Sequence, residues 1–207
     1  MSGSGQEAVR GDAGHSRSGA RCPACAGELR VDAKVCPWCG FSAGKTAEWF
    51  PGSPPPMMPV LDAASMWGGD EVMLIEKTAA KLMSKFPQFR WYVCTLALPR
   101  DTALTTFGYW MMNASPLSVG ETEYERGWSV LLLLDAESGN ATAVPGYSAE
   151  AWLGDEDLEF ALGAMGKSWR AGRSAEGVVR FFKRCQDRLE LTWRRRVSKS
   201  RGRRNRR

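Results

Sequence analysis

Two Cys-x-x-Cys pairs within 18 residues constrain this chain more than any other feature. The pairs are Cys22/Cys25 and Cys36/Cys39, and ten residues separate them in the stretch RCPACAGELRVDAKVCPWCGFS. Two intervening residues let one tight turn direct two thiolates at one ion, and a second such turn completes a tetrahedral ligand set. The spacing therefore predicts a zinc ribbon over residues 21–42. Because sulfur fills all four positions, we expect the zinc to be structural.

Two other chemistries are open to four cysteines at this spacing. Tetrathiolate sites also accept iron, as in rubredoxin-like centres. Two disulfides would need an oxidising compartment, and residues 1–20 are rich in glycine and serine and lack the apolar run of a signal peptide. We therefore expect a cytoplasmic protein with reduced thiols, preceded by a disordered leader over residues 1–20.

The positive charge of the chain is concentrated at its C-terminal end. The formal net charge is +5, but residues 193–207 (WRRRVSKSRGRRNRR) hold eight arginines, one lysine and no acidic residue. The rest of the chain has 19 basic and 23 acidic residues and thus a net charge of −4. A basic block of this kind is typical of disordered segments. It predicts a disordered tail that could bind nucleic acid or an anionic membrane through electrostatic attraction.

A proline-rich stretch separates the cysteine pairs from the rest of the chain. It reads FPGSPPPMMP, from residue 50 to residue 59. Such a composition favours extended polyproline structure without a core of its own. We therefore predict a linker over residues 43–65 and a separate domain over residues 66–192.

The hydrophobic pattern of residues 66–192 predicts alternating helices and strands. FRWYVCTLAL (89–98) and GWSVLLLLD (127–135) are apolar on both alternating faces, as strands covered on both sides are. ATAV (141–144) follows a turn and is predicted to return as a hairpin strand. Helical periodicity before, between and after these strands completes the order α-β-α-β-β-α-α. The fold class is therefore α/β, with a mixed β-sheet layered with helices.

Histidine-dependent catalysis is excluded by composition. The chain has one histidine, His15, within the predicted leader. Cysteine–histidine and serine–histidine nucleophiles and histidine-ligated catalytic zinc therefore have no candidate residues. The two remaining cysteines, Cys94 and Cys185, fall in a predicted buried strand and on the apolar stripe of a predicted helix. We expect both to be small core side chains.

The stretch LLLLDAESGNATAVPGYSAEAWLGDEDLEFAL (131–162) resembles the TPM domain family, which includes a thylakoid-lumen phosphatase. That family shows an apolar strand, a turn, a second strand and a signature close to G-Y-G-L-E-G-x-L-P-D. The resemblance implies a TPM-like fold and, as one possible activity, a divalent-metal-dependent phosphatase. The residues of this chain that correspond to the signature are Gly146, Tyr147, Glu150, Leu153 and Asp155.

The acidic residues of this region form a candidate second metal site. Carboxylate oxygens suit Mg²⁺ or Ca²⁺, which could orient a phosphate ester and its attacking water. Arg126 precedes Gly127 where the family often has Asp or Asn, and we expect this arginine to pair with the acids and take the place of a cation. The candidate acidic residues are Asp135, Glu150, Asp155 and Asp157, with Glu156 between the last two.

Three functions are compatible with these features. The first is a cytoplasmic interaction or regulatory module in which the ribbon and the TPM-like domain bind a protein partner. The second is a TPM-type phosphatase, and the third is a nucleic-acid-associated protein that uses the ribbon and the basic tail.

Overall fold

The fold is a four-stranded mixed sheet with helices on both faces and a small two-stranded hairpin near the N-terminus. The computed structural model describes residues 20–25, 27–30, 33–100, 102–118 and 120–204. In chain order the elements are β1 (Ala20–Arg21), β2 (Glu28–Leu29), α1 (Ala43–Trp49), β3 (Val60–Asp62), α2 (Gly69–Lys85), β4 (Arg90–Leu96), α3 (Leu104–Ala114), α4 (Glu123–Arg126), β5 (Ser129–Asp135), β6 (Ala141–Pro145), α5 (Tyr147–Glu150), α6 (Asp155–Arg170) and α7 (Ser174–Arg204).

The larger sheet has the strand order β3-β4-β5-β6. Strands β3, β4 and β5 are parallel, and β6 runs antiparallel to β5. Leu134 pairs with Ala141 beside the turn of the hairpin, whereas Val130 pairs with Pro145 at the other end of β5. The chain therefore leaves β6 at the edge of the sheet where β5 begins. This register decides which acidic side chains can meet.

The two faces of the sheet bury alternate residues of the same strands. Trp91 and Val93 of β4 pack with α2, α6 and α7, and Tyr92 and Cys94 pack against α3. Every residue of β5 is buried, which explains the unbroken apolar run from Val130 to Leu134. The predicted mixed sheet layered with helices is thus confirmed.

Helix α7 supplies much of the larger core. Burial raises the pKa of its Cys185 thiol, as burial also raises the pKa of Cys94 in β4 to about 12. Both thiols are therefore protonated and packed as small apolar groups, in agreement with the sequence prediction. The fully buried residues on this face of α7 are Val178, Phe181, Phe182, Cys185 and Leu189.

The segment predicted as a linker, residues 43–65, is built into the fold. It contains α1 and also β3, which pairs with β4. Met57 is buried against the α3 face of the sheet, and the carbonyl of Pro55 accepts a hydrogen bond from the Ser115 hydroxyl at 2.7 Å. The linker prediction was wrong because the prolines fix an extended backbone whose apolar neighbours still pack. The sheet therefore begins at Val60 rather than after residue 66.

The predicted disordered tail is also corrected for the residues that the structure describes. Helix α7 continues without a break to Arg204. The basic composition of this segment predicted disorder, but Trp193 and Arg196 pack on Trp152 and anchor this part of the helix. Residues 205–207 and nearly all of the predicted leader lie outside the described residues. Among the helices described, none combines the length and apolar character needed to cross a bilayer.

Candidate metal centre and signature loop

The four cysteines of the two pairs come together in one cluster. The Cys22 and Cys39 sulfurs are 3.7 Å apart, as are those of Cys25 and Cys36, and all four sulfurs lie within 4.8 Å of one another. Tetrahedral zinc with Zn–S bonds of about 2.3 Å places its sulfur ligands about 3.8 Å apart. A disulfide would require about 2.05 Å, and all four are free thiols. The cluster therefore has the dimensions of a tetrathiolate metal site.

Two tight turns of the backbone bring these thiols together. The Cys22 N–H donates to the Gly27 carbonyl, and the Cys36 N–H donates to the Phe41 carbonyl at 2.8 Å. Gly40 donates back to the Cys36 carbonyl and has a φ of 69°, which glycine adopts without steric cost. Gly40, which directly follows the second cysteine pair, thus closes its turn.

Backbone donors around the Cys36 sulfur favour its thiolate form. Burial alone would raise its pKa, but the backbone N–H groups of Cys39 and Trp38 donate to the sulfur and lower the pKa to about 7. Burial raises the pKa of Cys22. Since only thiolates bind zinc, metal binding at this cluster releases protons and weakens as the pH falls.

The ribbon packs against helix α3 of the larger domain. The Phe41 ring meets the Tyr109 ring edge-on at 5.6 Å between centroids. The Thr106 hydroxyl donates to the Pro23 carbonyl at 3.0 Å. These contacts hold the two cysteine-bearing turns against α3, whereas the predicted extended linker would have separated the ribbon from the larger domain.

Asp135, the first of the predicted acidic ligands, lies at the C-terminal end of β5 and is occupied by protein donors. Its carboxylate accepts hydrogen bonds from the N–H groups of Leu98 and Glu137 and from the Ser138 hydroxyl. Burial would raise the pKa of Asp135, but the Ser138 and Leu98 hydrogen bonds outweigh it and lower the pKa. This carboxylate closes the β5–β6 turn.

The other predicted acidic residues lie at the opposite end of the sheet. Glu150 and Asp155 follow β6, whose last residue is paired with the start of β5. Asp157 forms an ion pair with Arg188 of α7. Burial, followed by the nearby Asp155 charge, raises the pKa of Glu150. Among the described residues, the four-cysteine cluster is the one group of three or more such side chains whose ligand atoms converge, and the four candidate carboxylates are not part of it.

Arg126 does not pair with these acids, contrary to the sequence prediction. Its side chain is buried and forms an ion pair with Glu121, with Nε 2.6 Å from a carboxylate oxygen. It also donates to the Met112, Ser115 and Pro116 carbonyls, where α3 ends. The arginine therefore satisfies carbonyls left without helical partners and provides positive charge at a helix C-terminus.

The signature residues have identifiable structural roles. A Cβ on Gly146 would lie 2.6 Å from the Gly127 carbonyl oxygen and 2.7 Å from that of Arg126, so only glycine fits. Leu153 is completely buried in the larger core. Tyr147, by contrast, is 80% exposed. The loop after β6 is therefore held tightly at both ends while it presents one aromatic side chain to solvent.

A tryptophan ladder between this loop and α7 was missed by the sequence analysis. Trp152 lies 6.3 Å from Trp128 and is stacked on Trp193 at 6.0 Å between ring centroids. The Arg196 guanidinium lies 4.1 Å from the Trp152 centroid and donates to the Ala151 carbonyl at 2.7 Å. The sequence held a signal, because Trp193 continues at four-residue spacing the apolar stripe that includes Leu189.

The Gly146 contact gives a sharp prediction for stability. We expect Gly146→Ala to lower the free energy of unfolding by about 1–3 kcal/mol, because its methyl group would meet rigid backbone carbonyls. Gly163→Ala is the matched control, since Gly163 is inside α6 and a methyl group added there would meet nothing within 4 Å. It should stabilise by up to about 1 kcal/mol. Urea denaturation measures both, and equal effects would contradict the close approach.

Comparisons with known proteins support the fold. No family model and no curated protein matches the chain. The solution structure of the N-terminal domain of a P. gingivalis protein is similar with a TM-score of 0.50 and 16% identity, covering 73% of this chain and 93% of that domain. At this identity the likeness shows a shared fold alone.

Two further NMR structures were found at lower similarity. The N-terminal domain of the cg2496 protein from Corynebacterium glutamicum has a TM-score of 0.49 and 14% identity, covering 62% of this chain and 78% of that chain. The BA42 protein from the psychrophilic bacterium Bizionia argentinensis has a TM-score of 0.39 and 11% identity, covering 56% of this chain and 81% of that chain.

Proposed function

We propose that this chain is a cytoplasmic, non-catalytic interaction module that combines a structural zinc ribbon with a TPM-like domain. The observation that carries the proposal is the separation of the acidic residues. Asp135 is bound by protein donors at one end of the sheet, and Asp157 is paired with Arg188 at the other. A metal-assisted hydrolase needs carboxylates that converge on one ion.

The cysteine cluster supports a structural role for the zinc. Four sulfur ligands complete a tetrahedron and leave no position for water or substrate, as in other closed zinc sites. The ribbon also lies against α3, so its metal holds a surface in place beside the larger domain. A closed site of this kind stabilises a binding surface and does not perform chemistry.

Two observations support the TPM-like assignment. The order of elements around the β5–β6 hairpin matches the resemblance given by the signature residues, and Gly146 and Leu153 occupy positions that require glycine and a buried apolar side chain. The partner we propose for the module is a macromolecule, because among the described residues the candidate carboxylates do not converge into one metal-holding group that could bind a small phosphate ester.

The alternative is a divalent-metal-dependent phosphatase of the TPM type. One observation favours it: Glu150 and Asp155 are close enough for the Asp155 charge to contribute to the raised pKa of Glu150. Two adjacent carboxylates can recruit Mg²⁺ or Ca²⁺ when further ligands come from substrate.

An assay with p-nitrophenyl phosphate distinguishes the two functions. We expect no turnover above background with Mg²⁺, with Ca²⁺ or with EDTA, because the carboxylates do not converge on one ion. Asp155→Asn should then behave as the unmodified protein does. Two results together would establish the enzyme instead. Metal-dependent turnover would disappear in Asp155→Asn while the thermal transition of that variant stayed unchanged. Turnover would stay normal in the matched variant Asp187→Asn, which changes an exposed residue of α7.

A further inference from the structure

We propose that the C-terminal part of α7 binds single-stranded nucleic acid, with Trp193 as a stacking platform for one base and Arg194 and Arg195 on its phosphates. This inference rests on the proposed interaction function and names the class of its partner. It is carried by three observations on the described residues, which concern charge, an exposed aromatic ring and the rigidity of both.

The charge on this part of α7 is of one sign and accessible. Arg194 and Arg195 are exposed, and the sequence from residue 193 to residue 207 contains no acidic residue. The nearest acid in sequence, Glu190, forms an ion pair with Lys85 and lies 3.9 Å from Arg194. Eight arginines with a single lysine suit phosphate recognition, because one guanidinium group can donate to two phosphate oxygens at once and can also stack on a base.

Trp193 provides an aromatic surface among these arginines. Its ring is stacked on Trp152 with 22° between the ring planes, and 52% of the residue remains exposed. Unpaired bases stack on such rings without sequence preference. A folded surface that interleaves basic and aromatic side chains is the expected footprint of a nucleic-acid-binding protein.

The platform is held in a fixed position. Arg196 covers Trp152 and donates to the Ala151 carbonyl, so the helix cannot move away from the loop without losing both contacts. Trp152 in turn packs toward Trp128 beside the sheet. Binding therefore requires little ordering of the protein, which preserves affinity.

These observations favour nucleic acid over an anionic membrane. A helix that lies on a membrane needs an apolar face to insert between lipids. From residue 192 to residue 204 the large apolar side chains are Trp193, which is stacked on Trp152, and Val197, which is partly buried. They favour a single strand over a duplex because stacking on Trp193 requires a base that is not already stacked between neighbours.

Fluorescence anisotropy on the zinc-loaded full chain tests the proposal. The probes are a labelled 15-residue oligothymidylate, an oligouridylate of equal length and a 15-base-pair DNA duplex, each titrated from 50 to 200 mM salt. Vesicles with 30% phosphatidylserine form a separate arm, measured by co-sedimentation. We expect salt-sensitive binding to either single strand and weaker binding to the duplex and the vesicles, and the ratio of the two single-strand affinities identifies DNA or RNA as the source.

Paired arginine variants locate the binding surface. Arg194→Gln/Arg195→Gln should weaken oligothymidylate binding at least about tenfold at 50 mM salt and reduce the salt slope by about 1.4, since two fewer phosphates are neutralised. Arg180→Gln/Lys183→Gln removes equal charge from exposed positions on the same helix. This control should change affinity by less than about twofold if only local contacts matter. Equal losses in both pairs would overturn the assigned surface.

Trp193 variants test the stacking platform. Trp193→Phe should retain most of the affinity, whereas Trp193→Leu should lose about fivefold or more, because leucine packs but cannot stack with a base. Thermal unfolding checks that both variants remain folded. Equal affinity for duplex, tighter binding to the vesicles or unchanged affinity in Trp193→Leu would overturn the proposal. Phosphate-ester turnover would contradict only the proposed non-catalytic function, and absent oligonucleotide binding would contradict only this inference.

Discussion

Cys36→Ser is expected to abolish stoichiometric zinc binding and to unfold the ribbon over residues 21–42. Apparent free energies of zinc binding in small finger peptides are about 10–16 kcal/mol, and little else holds a segment of this size together. Among the ribbon residues that the structure describes, the hydrophobic core cluster contains three buried side chains, those of Cys22, Cys36 and Phe41. Metal analysis of protein purified without chelator should give one zinc per chain for the unmodified protein and none for the variant.

Cys94→Ser is the matched control for this experiment. Cys94 is buried in β4 within the core of the larger domain and is not one of the four clustered cysteines, so its serine variant should lose some stability and keep its zinc. The larger domain should retain its own thermal transition in Cys36→Ser, because its main core contains no ribbon residue. Faster amide exchange is expected in α3, where Phe41 contacts Tyr109. A metal-free unmodified protein would contradict the zinc site, and one iron per chain would identify the rubredoxin-like alternative.

Arg126→Met is expected to lower the free energy of unfolding by about 3–5 kcal/mol. The substitution leaves Glu121 charged and buried without its partner, and it removes the donor to three carbonyls at the end of α3. The side chains of this pair are only 10% and 7% exposed. The matched control is Arg173→Met, whose pair with Glu176 is exposed and should be worth less than about 1 kcal/mol. Comparable losses in urea denaturation would contradict the buried role of Arg126.

The same ion pair predicts how stability depends on acidity. The hydrogen bond from Arg126 lowers the pKa of Glu121 below its ordinary value of 4.5, although burial alone would raise it. A carboxylate with a lowered pKa in the folded state stabilises the protein above the unfolded pKa and loses that contribution as the pH falls. Stability should therefore decline below about pH 4.5, and Glu121→Gln should reduce the steepness of that decline. If the free energy of unfolding of Glu121→Gln declines with falling pH as steeply as that of the unmodified protein, Glu121 does not contribute to this decline.

Local patterns in the sequence predicted the elements whose character is set by near neighbours. The spacing of the cysteines alone predicted the cluster, because two residues between ligands fix a turn whatever surrounds it. Apolar side chains on both alternating faces predicted β4 and β5, as expected for strands that are covered on both sides. The hairpin that ends at Pro145 followed from its turn and its β-branched residues.

Contacts between distant segments were not available from such patterns. Strand β3 has three residues and exists because β4 offers an edge to pair with, so nothing in its own sequence distinguished it from the preceding prolines. Proximity in sequence alone groups the acidic residues into one candidate site. The antiparallel register of β6 separates Asp135 from Glu150 by the length of the strand pair. Arg126 pairs with Glu121 rather than with the candidate acidic residues, because Arg126 and Glu121 both lie beside the end of α3.

The length of α7 has a mechanical consequence. Its 31 residues span about 46 Å at 1.5 Å per residue, whereas a compact domain of about 130 residues measures roughly 36 Å across. One end of this rod is fixed by Phe181 and Phe182 in the core, and the other carries the arginines. A flexible tether would let a bound polymer sample many orientations and would weaken simultaneous engagement of a second site. A continuous helix is stiff, so a partner bound at the C-terminal end of α7 keeps a fixed orientation relative to the sheet.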